Sequence, residues 1–149
     1  MKETITSLTE LEEFARQYLA RLVPSSSGAT LIALSGDLGA GKTALTKAFA
    51  KVFGIKEHIT SPTFVLAKHY TIEGDSRFTK LIHIDAYRLT EGDDLTPLRF
   101  DELLSVPEHL IVLEWPERVT RALPKGHRKI HMALVDDARE IAHDGYDKR

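Results

Sequence analysis

Residues 30–43, which read TLIALSGDLGAGKT, decide the fold of this chain. The first six residues are an apolar run of strand length, which predicts a buried central strand. The last eight, Gly36–Thr43, match in full the phosphate-binding pattern G-x-x-x-x-G-K-[ST]. The segment Thr43–Phe53 then carries apolar residues at helical spacing, and Gly54 is placed to end that helix. The order strand, glycine loop, helix is the context that this motif requires.

The residue types of the loop suit a phosphate group. Glycine at positions 36, 39 and 41 permits backbone angles and close approaches that a Cβ atom would forbid, so successive N–H groups can point at phosphate oxygens. The loop also precedes a helix, whose N-terminal N–H groups and dipole favour negative charge. Lys42 is placed to reach the β- and γ-phosphates, and the Thr43 hydroxyl to bind Mg²⁺. The expected nucleotide-binding residues are Asp37, Leu38, Gly39, Ala40, Gly41, Lys42 and Thr43.

A magnesium ion needs further oxygen ligands, and two carboxylates follow strand-like runs. Asp85 comes after residues 81–84, and Glu114 comes after residues 110–113. Ligands of α/β sheets bind at the carboxyl ends of strands, so either residue could be the Walker-B acid. Because the run before Glu114 is entirely apolar, we assign Glu114 to Mg²⁺, directly or through water. Asp85 is expected to organise metal-bound or attacking water, and with Lys42 these acids are the candidate catalytic residues.

Other positions near these motifs have two interpretations each. Ser61 and Thr63 lie in a polar loop where a switch segment could sense the γ-phosphate, and a turn stiffened by Pro62 explains the same pattern equally well. His83 has no second histidine beside it at metal-ligand spacing, so we expect a packed or hydrogen-bonded side chain rather than a catalyst. Trp115 could stack on a base or shape a partner surface, but partial burial in the core is favoured.

The rest of the chain predicts a mixed sheet flanked by helices. Apolar residues recur at helical spacing from Leu8 to Leu22, after a capping box formed by Ser7 and Glu10. The other predicted elements are strands at 64–70, 78–84 and 110–113, a helix from Thr96 to Leu104, and a hairpin over 129–143. Helices that alternate with buried strands, together with hairpins, indicate an α/β protein with a mixed parallel and antiparallel sheet.

Length and composition exclude several classes. The 149 residues are enough for one domain, so we expect a single domain over residues 1–149. The formal net charge of -2 does not mark a free-standing binder of nucleic acid or of anionic membranes. The chain has no cysteine, which excludes disulfides, thiolate zinc sites and cysteine nucleophiles. It opens without a signal-peptide pattern and has no apolar run of about 18 residues, so we expect a cytoplasmic protein without a membrane partner.

Four segments, GDLGAGKT, TSPTFVL, HIDAYRL and LEWPERV, occur in this order and together resemble the bacterial TsaE family, the small ATPase of tRNA threonylcarbamoyladenosine biosynthesis. The resemblance spans the chain from the first helix to the terminal hairpin. It implies a P-loop domain with a mixed sheet, in which Lys42 and Thr43 bind ATP and Mg²⁺. It further implies that Asp85 and Glu114 are needed for hydrolysis and that Thr63 belongs to a switch-like loop near the γ-phosphate.

The resemblance also implies partner proteins. Two proteins of the ASKHA type are expected, a threonylcarbamoyl transferase and its paralogous partner, and the transferase modifies the adenosine beside the anticodon of certain tRNAs. The chain would thus meet tRNA only through this complex, which its ATP hydrolysis is expected to reset.

Two rival functions fit a P-loop. A small-molecule kinase needs an acceptor site and usually a mobile lid with arginines, and the chain has no arginine-rich insertion long enough for one, so water is the expected acceptor. A nucleotide-sensing adaptor would bind ATP without needing to hydrolyse it. The absence of an NKxD segment argues against GTP. Without an obvious arginine finger, we expect slow hydrolysis by the protein alone and a partner that completes or gates the site.

Overall fold

The computed structural model describes residues 1–60, 67–90 and 95–145. Within these residues seven strands form one sheet: Lys2–Ile5 (β1), Thr30–Ser35 (β2), Ala67–Thr71 (β3), Lys80–Asp85 (β4), His109–Glu114 (β5), Arg128–Val135 (β6) and Ala138–His143 (β7). The α-helices are Leu8–Ala20 (α1), Lys42–Val52 (α2) and Phe100–Leu104 (α3). Short 3₁₀ turns occupy Thr96–Leu98, Pro116–Arg118 and Thr120–Ala122.

The strand order across the sheet is β1-β7-β6-β2-β5-β4-β3. At its centre β2 runs parallel to β5 and to β6, and β5 runs parallel to β4. The outer pairs, β1 with β7, β6 with β7 and β3 with β4, are antiparallel. The predicted α/β class with a mixed sheet is therefore confirmed. The parallel strands β2 and β5 are buried on both faces, which explains their continuous apolar runs.

Two hydrophobic clusters cover the two faces of the sheet. On one face α1 and α2 pack over side chains such as Leu34 and Val112. On the other face residues of α3 and of the 3₁₀ turns pack over the alternate positions, such as Ala33 and Leu113. Successive side chains of a strand point to opposite faces, so alternate residues of a strand pack against different hydrophobic clusters.

The start of α1 follows the capping prediction in part. The Ser7 hydroxyl accepts a hydrogen bond from the Glu10 amide at 3.1 Å, as an N-cap side chain does. The Glu10 carboxylate, however, accepts from the Thr6 amide at 2.8 Å, one residue earlier than in a standard capping box. The helix ends at Ala20, two residues before the predicted Leu22.

The sequence patterns missed one strand and predicted one helix wrongly. Strand β1 was not predicted, because in its four residues only Ile5 is a buried apolar side chain, and its pairing with β7 is what makes it a strand. The single helix predicted from Thr96 to Leu104 is wrong, because Arg99 adopts a left-handed conformation with φ of 55° and separates a 3₁₀ turn from α3.

One further prediction is confirmed, and another falls partly outside the described residues. Gly54, with φ of +73°, follows the end of α2 as expected. In the predicted strand 64–70 the described part begins at Ala67, and residues 64–66 lie outside the described residues. Among the helices of the described ranges, none is both long and apolar enough to cross a membrane.

Candidate functional site

The glycine loop between β2 and α2 approaches the C-terminal hairpin closely. Gly36 has φ of +142°, and a Cβ atom there would overlap the backbone carbonyl oxygen of Met132 on β6. Gly41 has φ of +107°, and a Cβ atom there would lie 2.6 Å from Nε of Arg139 on β7. That same Nε donates a hydrogen bond to the Ala40 carbonyl at 2.9 Å. Gly36 has no room for a side chain beside the β6 backbone, and Gly41 has a φ that L residues rarely adopt. Met132 and Arg139 thus place β6 and β7 directly against the loop.

The tip of the loop is open to solvent. Asp37, Leu38 and Gly39 are exposed, and Leu38 keeps 75% of its surface accessible. Ala40 is buried beneath them, and the loop backbone then enters α2, in which Thr43 is half-buried. The residues predicted to bind nucleotide thus form one continuous turn at a helix N-terminus, the arrangement that favours an anionic group.

Lys42 folds back over this loop instead of pointing into solvent. Only 5% of its surface is exposed. Its Nζ atom donates hydrogen bonds to the carbonyl oxygens of Gly36 and, at 3.3 Å, Asp37. The same ammonium lies 3.8 Å from the ring centroid of Trp115, which is a cation–π contact. The amine is therefore held inside the loop by backbone carbonyls on one side and an aromatic face on another.

Burial lowers the pKa of Lys42 from its ordinary value of 10.5, because a charged amine loses hydration there. Nearby carboxylates act in the opposite direction and raise the pKa, so they offset part of the burial effect: Glu114, Glu117, Asp85 and Asp37. The site thus combines one buried cation with several acids.

The two predicted acids are neighbours at the carboxyl ends of β4 and β5. Asp85 pairs in register with Glu114 across the two parallel strands, and both side chains are buried, with 7% and 3% of the residue exposed. The Asp85 carboxylate accepts a hydrogen bond from the Tyr87 amide at 2.9 Å. The Thr43 hydroxyl donates to Oε2 of Glu114 at 3.4 Å. The structure therefore brings together the loop threonine and both acids.

His83 is the residue that the sequence predicted to be packed or hydrogen-bonded rather than catalytic. It is fully buried on β4, and its Nε2 atom lies within hydrogen-bond reach of Oε2 of Glu114. The signal in the sequence was its spacing of two from Asp85, which places both side chains on the same face of one strand. The prediction of a hydrogen-bonded histidine is confirmed, but the partner is a candidate site residue.

An aromatic and cationic cluster borders the acids. Trp115 follows Glu114 in a left-handed conformation, with φ of 60°, and is half-buried. Its ring centroid lies 5.0 Å from that of Tyr87, and the Arg118 guanidinium lies 5.9 Å from the Trp115 ring. Trp115 therefore belongs partly to the core, as expected, and also contacts Lys42.

The oxygen donors of this site fit Mg²⁺. The Thr43 hydroxyl and the carboxylates of Glu114 and Asp85 are hard ligands of the kind Mg²⁺ prefers. In the part of the chain that the structure describes, no three histidine or acidic side chains cluster as a complete metal cage. An ion here would thus need oxygens from a phosphate and from water, which is the usual way that Mg²⁺ is held.

Ser61 and Thr63, the residues of the predicted switch-like loop, lie outside the described residues.

Comparisons with known proteins agree with this architecture. The family model of TsaE, described as threonylcarbamoyl adenosine biosynthesis protein TsaE, matches residues 5–141. A relative from Streptomyces coelicolor named tRNA threonylcarbamoyladenosine biosynthesis protein TsaE is 37% identical over 131 residues, which cover 86% of this chain and 86% of the relative. A Rickettsia bellii protein of the same name is 33% identical and covers 92% of this chain and 89% of its own. The crystal structure of Bacillus subtilis YdiB has a TM-score of 0.74 at 28% identity and covers 96% and 83% of the two chains.

The fold and site define an α/β protein of the P-loop class, with a glycine loop after the central parallel strand β2 and two acids at the ends of β5 and β4. Within that class the chain belongs to the TsaE family, whose role is in the biosynthesis of tRNA threonylcarbamoyladenosine.

Proposed function

We propose that the protein is a Mg²⁺-dependent ATPase whose hydrolysis of ATP supports the threonylcarbamoylation of tRNA adenosine beside the anticodon. The observation that carries this proposal is the convergence of Lys42, Thr43, Asp85 and Glu114 around one glycine loop. A P-loop alone would indicate only phosphate binding. Two buried acids in register on neighbouring strands, one of them in contact with the loop threonine, add the means to hold a metal and to orient water.

Each residue has a separate task in this proposal. The loop amides and Lys42 bind the phosphate chain, and the ammonium supplies the positive charge that offsets its negative charge. The Thr43 hydroxyl and the Glu114 carboxylate would hold Mg²⁺, which supplies charge neutralisation and fixes phosphate geometry when bound. Asp85 orients the attacking water, and its own orientation is fixed by the Tyr87 amide.

The first test is ATP turnover by the purified protein. We expect slow Mg²⁺-dependent release of phosphate, lowered by about 10²-fold or more in Lys42→Ala, which loses the cation that offsets the phosphate charge. Glu114→Ala should also reduce it strongly, because it removes a carboxylate that would hold Mg²⁺. Lys47→Ala is the matched control, since Lys47 is an exposed lysine on the same helix. Unchanged turnover in both site variants would contradict the proposal, and transfer of label to a sugar or nucleoside would indicate a kinase.

The second test concerns partners. We propose that the protein acts with an ASKHA-type threonylcarbamoyl transferase and the paralogous partner of that transferase, and that it meets tRNA only through them. A pull-down from native extract with and without ATP is expected to recover both ASKHA-type proteins. Full complementation of a deletion strain by a variant that binds ATP but cannot hydrolyse it would instead favour a nucleotide-sensing adaptor.

A further inference from the structure

His83 occupies an unusual place for a histidine that only packs. Its side chain is fully buried, on the face of β4 that also carries Asp85. Leu81, two residues before it on the same face, belongs to the hydrophobic cluster under α1 and α2. An apolar residue would fill such a position without the cost of burying two ring nitrogens.

The two ring nitrogens have different surroundings. Nε2 contacts Oε2 of Glu114, whereas Nδ1 is buried and has no hydrogen-bond partner among the described residues. If the proton were on Nδ1 alone, a buried N–H group would have no acceptor. The lone pair of Nε2 would then face a carboxylate oxygen, and the two would repel each other. The geometry thus assigns the ring proton to Nε2, from which it is donated to Glu114.

This hydrogen bond fixes the carboxylate of Glu114. The same Oε2 atom that contacts His83 also accepts from the Thr43 hydroxyl at 3.4 Å. A glutamate side chain has three rotatable bonds, and the torsion angle of the last one has a broad distribution. An unrestrained carboxylate would therefore sample many orientations. Contacts from His83 below and Thr43 beside it select one orientation.

We propose that His83 is a positioning residue for Glu114: it holds the carboxylate towards Thr43, so that a carboxylate oxygen of Glu114 and the hydroxyl oxygen of Thr43 can bind the same divalent cation. This inference rests on the proposed function, since it concerns the metal that accompanies the nucleotide. Partners that orient a metal-binding carboxylate are known to influence metal affinity by about 10–100-fold. A purely packed histidine would influence only stability.

The experiment compares two amide substitutions that differ in reach. In His83→Gln the side-chain amide nitrogen extends to about the position of Nε2 and can still donate to Glu114. In His83→Asn the amide ends near the position of Nδ1 and cannot. His83→Phe adds a variant of full ring volume without a donor, so that at least one variant lacking the hydrogen bond keeps the packing. His109→Phe is the control, because His109 is a buried histidine at the opposite end of the strand that carries Glu114.

Mn²⁺ is the probe, and its binding to the full chain with ADP is measured by electron paramagnetic resonance, alongside nucleotide affinity in EDTA and thermal melting. We expect Mn²⁺ affinity to fall about 10–100-fold in His83→Asn and His83→Phe. Affinity should remain near that of the unsubstituted protein in His83→Gln and His109→Phe. Nucleotide affinity in EDTA should change little in all four variants, because the loop contacts of the phosphates do not involve His83.

Two results would overturn the inference while leaving the proposed function intact. One is Mn²⁺ affinity in His83→Asn and His83→Phe equal to that of the unsubstituted protein. The other is an equal loss in His83→Gln, which would show that packing and not the hydrogen bond matters. If the unsubstituted protein itself bound no Mn²⁺ with nucleotide, the proposed function would fail, and this inference with it.

Discussion

At the scale of single residues, the glycine at position 36 carries a double constraint. Its φ of +142° lies outside the region that L side chains adopt readily, and a Cβ atom would also meet the Met132 carbonyl oxygen. Gly74 also has a positive φ, of +79°, but a Cβ atom there would meet nothing within 4 Å. Gly74 therefore reports backbone strain alone, whereas Gly36 combines a more extreme φ with a close approach of the loop to β6.

We expect Gly36→Ala to lower the free energy of unfolding by more than Gly74→Ala does. Strained backbone conformations cost about 1–3 kcal/mol each, and Gly36→Ala adds the displacement of β6. It should also weaken nucleotide binding, because the loop would move away from its present shape. Urea unfolding and nucleotide titration of both variants measure these effects. Equal destabilisation by the two substitutions would show that the contact with Met132 is unimportant.

Residue-level sequence reasoning predicted the loop and both acids but missed what His83 contacts. The loop has a full motif, and Asp85 and Glu114 each follow a strand-like run, so both acids could be predicted as candidates without the fold. The contact between His83 and Glu114 depends on which strands are neighbours and in which register. Neither the neighbours of a strand nor its register can be predicted from a single segment of sequence.

At the scale of elements, the turn between β3 and β4 secures the end of α1. The Arg77 guanidinium donates to the carbonyl oxygens of Leu19 and Leu22, at 2.6 and 2.9 Å. Asp75 holds that guanidinium in an ion pair with an N–O distance of 3.1 Å, and also accepts from the Phe78 amide. The last carbonyls of a helix lack partners within it, so this arginine serves as a C-terminal cap from a distant segment.

Arg77→Ala is expected to lower the free energy of unfolding by about 2–3 kcal/mol, because buried carbonyl oxygens lose charge-assisted hydrogen bonds. Urea unfolding at neutral pH measures this change in the free energy of unfolding. Arg99→Ala is the control, since the ion pair of Arg99 with Glu102 is exposed and such pairs contribute little. A loss for Arg77→Ala no larger than for Arg99→Ala would contradict the capping role.

The same turn predicts a pH dependence. Burial raises the pKa of Asp75, but hydrogen bonds from the Arg77 side chain and from the Arg77 and Phe78 amides outweigh it and lower the pKa below 3.8. The unfolded chain then binds a proton before the folded chain does as the pH falls. The stabilisation by Asp75 is therefore complete well above pH 3.8 and is lost as the pH falls through the lowered pKa of the folded state.

We expect the stability difference between the unsubstituted protein and Asp75→Asn to be largest near neutral pH and to shrink below about pH 4. Urea unfolding at a series of pH values measures this difference. Asp101→Asn, at an exposed position on α3, is the control and should show no such trend. A difference that is constant from pH 3 to pH 7 would contradict the assignment.

Elements with strong local periodicity were predictable, and elements formed by distant partners were not. Helix α2 and strands β2 and β5 appear where their apolar patterns place them. Strand β1 has too few apolar residues to be recognised, and its stability comes from pairing with β7, which lies about 135 residues later. The break at Arg99 is a backbone conformation that no propensity favours.

At the scale of the whole molecule, β1 protects the edge of β7. It pairs with residues 139–142 of β7, and Ile5 is buried in the cluster under α1 and α2. Deletion of residues 1–5 should therefore lower the free energy of unfolding by at least about 2 kcal/mol, the amount expected from burial of an isoleucine side chain alone. It would also expose a strand edge, which favours aggregation.

Urea unfolding and light scattering test the deletion. The control is Lys2→Ala, which removes only an exposed ion pair with Glu140 and should change stability little. If the shortened chain were as stable as Lys2→Ala, β1 would be dispensable for stability.

The apolar patterns of the sequence predicted a mixed sheet. The order of the strands could not be predicted from any one segment, because it depends on how the whole sheet assembles.

The contact between Arg139 and the glycine loop has a consequence for biogenesis. The guanidinium and the Ala40 carbonyl it binds are 99 positions apart, and Met132 faces Gly36 over a similar span. Proteins are made from the N-terminus at about 5–20 residues per second. A nascent chain thus contains its complete glycine motif before the strands that shape the loop have been synthesised. Nucleotide can therefore meet the finished glycine loop only after β6 and β7 have been synthesised and have left the ribosome.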